Sequence, residues 1–89
     1  MVLHSVTIES GVTTLGSRVF ESCTSLTKIF IPASVTTIEE YLCKNSPSVK
    51  LYCEANLKPS DWANNWNEYV SGSALETRWG VTRVEFDAL

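Results

Sequence analysis

A phrase of 23 residues is written twice in the first half of this 89-residue chain. Displacing the sequence by 23 lays Leu3 on Leu26, Val6 on Ile29, Ile8 on Ile31, Val12 on Val35, Leu15 on Ile38, Val19 on Leu42 and Phe20 on Cys43. Only five positions in the window are identical, but all seven apolar positions stay apolar. In a chain that is 44% hydrophobic, that conservation of pattern arises by chance on the order of once in several hundred tries. A period in the twenties is the mark of a solenoid, in which one coil cannot bury its apolar side until a neighbour stacks on it.

Within a coil the pattern predicts short strands joined by corners. Val6 and Ile8 alternate with Ser5 and Thr7, a strand with one buried face. Ser10-Gly11 turns the chain, and the β-branched Val12-Thr13-Thr14 reads as a second strand. Gly16-Ser17 turns it again before Arg18-Val19-Phe20. In the second coil Pro32-Ala33-Ser34 makes the first corner, and Glu39-Glu40 replaces Gly16-Ser17, so that corner cannot need a positive φ in both coils. Thr13 should stack on Thr36 and Thr14 on Thr37. A third coil opens at Ser48, where Leu51 and Cys53 match Ile29 and Ile31 if one residue has been dropped after Val49.

After Cys53 the phrase stops. Residues 1–53 read as coils and residues 54–89 as a capping segment of the same domain. Lys58-Pro59-Ser60-Asp61 carries helix-start chemistry, and Trp62, Trp66, Tyr69 and Val70 follow as one stripe, which predicts a helix ended by Ser71-Gly72-Ser73. Leu75, Thr77, Trp79 and Val81, then Val84 and Phe86, alternate as one or two strands. Trp62, Trp66, Trp79 and Phe86 are the expected capping core, since an array must close its open apolar end.

The net charge of −3 offers no basic field for nucleic acid, and no apolar run approaches the ~20 residues of a membrane helix. No secretion signal is legible at Met1-Val2-Leu3-His4, and with the repeat already running at Leu3 the chain is expected to begin inside a longer solenoid. Cys23, Cys43 and Cys53 lack zinc spacing and read as small buried hydrophobes, the alternative being a Cys23–Cys43 bridge between coils. His4 has no acid at a meaningful spacing, and Glu39-Glu40 reads as a solvated corner. No catalytic residue, cofactor site or metal site is expected.

The phrase Leu-x-x-Ile-x-Ile-Pro-x-x-Val-x-x-Ile at Leu26 to Ile38 resembles the BspA-type leucine-rich repeats of bacterial surface proteins. So does the copy from Leu3, with Phe20-Glu21-Ser22-Cys23 at its corner. The run Leu51-Tyr52-Cys53-Glu54-Ala55, Lys58-Pro59-Ser60-Asp61-Trp62, Trp66-Asn67 and Trp79-Gly80 is similar to the segment that closes such arrays. Val19, Glu39 and Tyr41-Leu42-Cys43 depart from the family pattern. The resemblance implies a β-rich right-handed solenoid that, with a helix and strands in its cap, is α+β in sum. It also implies a secreted or cell-surface location and adhesion to host or other-cell surface proteins, without catalysis or cofactor.

Two surfaces are candidates for function. On the outward side of the first strand, Ser5, Lys28 and Lys50 should form one column and Thr7, Phe30 and Tyr52 another. Aromatics beside a cationic row are what a protein-binding face needs, so Lys28, Phe30, Lys50 and Tyr52 are its expected residues. The alternative is that Phe30 and Tyr52 pack on each other or under a neighbouring segment. The tryptophans offer a second surface, a carbohydrate-binding platform of exposed rings. A third expectation is that the chain only closes an array whose ligand site lies upstream. The open side of the first coil, with Leu3, Val6, Val12 and Leu15, is expected to drive self-association.

Overall fold

The computed structural model describes residues 3–89. Three turns of a β-solenoid are followed by a hairpin, a further strand and one short helix. The strands are β1 (Ser5–Thr7), β2 (Thr14–Leu15), β3 (Lys28–Ile31), β4 (Thr37–Ile38), β5 (Lys50–Cys53), β6 (Glu68–Val70), β7 (Ser73–Ala74) and β8 (Thr77–Trp79), and the helix is α1 (Arg83–Asp87). The main sheet runs in the order β1-β3-β5-β8, with every neighbouring pair parallel. Its register pairs Val6 with Ile29 and Ile29 with Leu51, then Ile31 with Cys53. The residue dropped after Val49 therefore lies where the repeat put it.

Each coil adds a second ladder and a corner. β2 and β4 pair Thr14 with Thr37 and Leu15 with Ile38, and the Thr36 N–H donates to the Thr13 carbonyl at 2.8 Å. At the next corner Arg18 N donates to Tyr41 O, Phe20 N to Leu42 O and Ser22 N to Lys44 O, at 3.2, 2.9 and 2.7 Å. The left-handed conformation recurs here at 23-residue spacing: Arg18 and Tyr41 have φ of 59° and 53°, Ser22 and Asn45 57° and 59°. Glu39-Glu40 can thus replace Gly16-Ser17, because the positive φ falls later in the corner. The two corners share one backbone conformation although their sequences differ.

The seven repeat positions of the second coil are buried: Leu26, Ile29, Ile31, Val35, Ile38, Leu42 and Cys43 are each 1% exposed or less. Burial of a large aliphatic side chain is worth about 1.5–3 kcal/mol, so these positions hold the stack together. Among the described residues Ser46 is the one polar residue buried completely. Its Oγ accepts from Cys23 N at 2.9 Å and donates to Phe20 O at 2.7 Å, tying the second coil to the first. The three cysteines are free thiols. Burial pushes Cys43 and Cys53 up to about 12, with nearby Cys23 adding to the rise at Cys43.

Two expected elements are replaced. No helix forms over Trp62 to Val70. Instead Trp62 bridges Ile38 in parallel, and Tyr41 N, Leu42 N and Asn45 N donate to Asn65 O, Trp66 O and Tyr69 O. The tail thus continues the second ladder and its corner. Trp62 and Trp66 are four apart because Ile38 and Leu42 are: the spacing belongs to the coil. Ser71-Gly72 is the tight turn of the β6–β7 hairpin, with Gly72 at φ +83°. The second replacement is at Val84–Phe86, where α1 stands instead of a strand. Thr82 and Glu85 form a reciprocal capping box, Glu85 N donating to Thr82 Oγ1 and Thr82 N to Glu85 Oε1. That pair outweighs three residues of alternation.

Candidate functional site

Parallel pairing without slippage sets the outward columns of the main sheet. Ser5, Lys28 and Lys50 are successive partners, and so are Thr7, Phe30, Tyr52 and Arg78. Lys50 is exposed, and Lys28 and Tyr52 are half-buried. Phe30 is only 3% exposed, which corrects its expected exposure. The cause is Phe86 of α1, whose ring centroid lies 5.4 Å from that of Phe30 and 5.5 Å from that of Tyr52. Lys28 Nζ stands 4.6 Å from the Phe86 centroid and donates to the Phe86 carbonyl at 3.4 Å. Phe86 therefore sits apart from the tryptophans it was grouped with, on the other side of the sheet.

Trp62, Trp66 and Trp79 gather at the downstream side of the stack. The Trp62 and Trp66 rings meet edge to face at 4.7 Å, and Trp79 lies 5.7 and 5.9 Å from them. Trp62 Nε1 donates to Val35 O at 3.3 Å, so its polar edge is satisfied inside the fold. Trp62 and Trp66 are each 2% exposed and Trp79 half-buried, so a platform of exposed indoles does not exist. Gly80 follows at φ +72°, where a Cβ would come 2.9 Å from Asn56 Oδ1.

Other chemistry is sparse. Glu39, Glu40 and Asp61 line an open groove beside Asn64 and Asn65. Among the described residues no group of three His, Cys, Asp or Glu side chains is placed to hold a metal ion. His4 is exposed, and no described helix is long and apolar enough to cross a membrane.

A family model described as BspA type leucine rich repeat region (6 copies) matches the chain over residues 2–61. The chain belongs to this family. No curated protein and no solved structure matches it. BspA-type repeats are often involved in protein interaction and are generally non-catalytic scaffolds. In this BspA-type chain the sequence shows the columns and allows a covering segment, but does not say that α1 is that segment. The signal for α1 was Thr82-x-x-Glu85, which starts a helix and fixes which side Phe86 takes.

Proposed function

We propose that this chain is a protein-interaction module acting in adhesion at a bacterial cell surface. Its recognition surface is the outward face of the main sheet, with Lys28, Lys50 and Tyr52 as its accessible contact residues and Phe30 beneath Phe86. The observation that supports this most is the in-register pairing of Lys28 with Lys50 and Phe30 with Tyr52, a cationic column beside an aromatic one on a rigid sheet. Aromatic anchors flanked by charge are what protein interfaces concentrate. Residues 54–89 close the downstream side of the stack through Trp62, Trp66 and Trp79.

The test is retention of surface proteins from intact cells by the immobilised chain and by a Lys50→Ser/Tyr52→Ser variant. Both side chains stand outside the core, so the variant should fold. Capture by the native chain and its loss in the variant is the expected result. Equal capture would move the ligand site off this face, and capture by neither would favour a chain that only closes an array. Because the indoles are covered, tryptophan fluorescence should stay unchanged on adding glycans.

A further inference from the structure

Helix α1 is fastened by one side chain. Within Arg83–Asp87 only Phe86 is buried, while Arg83, Val84, Glu85 and Asp87 are exposed. The upstream chain is fixed as far as Val81, since Gly80 N and Val81 N donate to Ala55 O and Cys53 O, both at 2.9 Å. Beyond that point the aromatic, hydrogen-bond and ion-pair contacts to the solenoid among the described residues are those of Phe86 and a surface pair of Arg83 with Glu9 at 3.9 Å. A five-residue helix has almost no stability of its own, because nucleation costs more than so few bonds return. The capping box shapes α1, and the sheet face keeps it in place.

The chemistry of the seated segment is legible. Phe86 stands between Glu85 and Asp87 in sequence, but the Glu85 carboxylate accepts from Thr82 N and the Asp87 carboxylate from Arg83 Nε, so the face meets the Phe86 ring and its carbonyl. Beneath it, the outward charges are Lys28, Lys50 and Arg78, the last paired with Glu76 at 3.0 Å. We infer that this face recognises a protein segment that presents an aromatic ring to Phe30, Tyr52 and Lys28, and that α1 is its intramolecular competitor. The inference rests on the protein-interaction role proposed above, and it supplies the partner's chemistry and the control of the site. A partner engages Phe30, Tyr52 and Lys28 after Phe86 leaves them.

A segment tethered this closely has an effective concentration on the order of millimolar. If it binds with an intrinsic Kd of about 0.1 mM, it weakens a competing partner about tenfold. The probe is a synthetic peptide with the sequence of residues 81–89, titrated by NMR into the full native chain and into the full Phe86→Ala chain. The expected result is that the Phe86→Ala chain binds about tenfold more tightly than the native one. The shifts should centre on Lys28, Phe30, Lys50 and Tyr52, and a peptide with Ala in place of Phe should give none. No shift in a folded Phe86→Ala chain, or equal affinity for the two chains, overturns the inference.

Should Phe86→Ala not fold, hydrogen exchange on the native chain decides. The amides of Phe86 and Ala88 should exchange at least about 100-fold faster than those of Ile29 to Ile31, since a singly anchored segment opens locally. Equal protection overturns the competitor role. Failure of the peptide leaves the protein-capture assay with Lys50→Ser/Tyr52→Ser unaffected, and that assay alone decides the interaction role.

Discussion

Val19 and Leu42 hold the same place in successive coils, and one is 51% exposed while the other is fully buried. The contrast holds at five of the seven repeat positions, Ile8 and Leu15 being buried in the first coil as well. Leu3, Val6, Val12 and Phe20 are half-buried, whereas Leu26, Ile29, Val35 and Cys43 are shut away. The residue types barely differ, so burial here is set by the neighbour. The second coil lies between the first and the third and has both sides covered. The downstream side solves the same problem with bulk: Trp62 and Trp66 follow Ile38 and Leu42 in the stack and cover it with indoles. An inner coil can use aliphatics because another coil brings the rest of the surface.

The strongest way to break this comparison is a matched pair of truncations. Leu42→Ala removes a buried side chain from a site packed on both sides and should cost about 2–5 kcal/mol. Val19→Ala removes methyl groups that water already reaches and should cost about 0.5 kcal/mol or less. Urea midpoints of the two variants and the native chain measure both. Equal costs would mean that the first coil is as tightly packed as the second.

The same contrast explains what was legible in the sequence. The coil, its register and the deletion after Val49 were readable because a repeat states each position more than once. Thr14 on Thr37 and Ile29 on Leu51 are equivalences between copies, and the backbone ladder enforces them. The tail has no second copy. Trp62, Trp66, Tyr69 and Val70 fit a helical stripe, and only the earlier pairs Leu15/Val19 and Ile38/Leu42 reveal that a four-residue step is also the distance from ladder to corner. The outward columns were legible for the same reason as the coil. The identity of their cover was not, because the contact between Phe86 and Phe30 spans 56 residues and follows no period.

The thiols sharpen the comparison through pH. Cys43 and Cys53, in the second and third coils, are pushed from 9.0 to about 12 by burial. Unfolding returns them to the lower value, so above pH 9 the unfolded chain holds fewer protons than the folded one, and raising the pH favours unfolding. Their contribution is intact below pH 9 and is lost progressively between pH 9 and 12. The loss should approach about 1.4 kcal/mol per pH unit for each thiol. Cys23, half-buried at the edge of the first coil, should be alkylated in the native state well before the other two. Denaturant midpoints between pH 8 and 10, compared for native and Cys43→Ala chains, check the sign. A flat profile would mean that water reaches the inner coils.

Ser46 tests the seam between the two coils. Ser46→Ala leaves Cys23 N and Phe20 O without their partner in a closed site, which should cost about 1–3 kcal/mol. Cys23 holds the corresponding place one coil earlier but is half-buried, its Sγ 3.7 Å from the Glu21 carbonyl. Cys23→Ala should therefore be milder. If both changes cost the same, the seam is not where the coils are fastened.

The smallest expected effect concerns the corners, where the two coils should behave alike. Arg18 and Tyr41 share a left-handed backbone that costs an L-residue about 1–2 kcal/mol. Glycine removes that strain but gives back about 0.5–1 kcal/mol through the freedom of the unfolded chain. Arg18 is exposed and forms no ion pair among the described residues, so Arg18→Gly should stabilise by under about 1 kcal/mol and raise the melting temperature by a few degrees. Tyr41→Gly relieves the same strain but forfeits the contact in which Lys44 Nζ lies 4.3 Å from the tyrosine ring, worth about 0.5–1 kcal/mol at such a site. Its net effect should be close to zero. Differential scanning calorimetry resolves the pair. A loss of stability in Arg18→Gly would show that the first corner is held by its side chain, and the equivalence of the two corners would then be one of backbone shape alone.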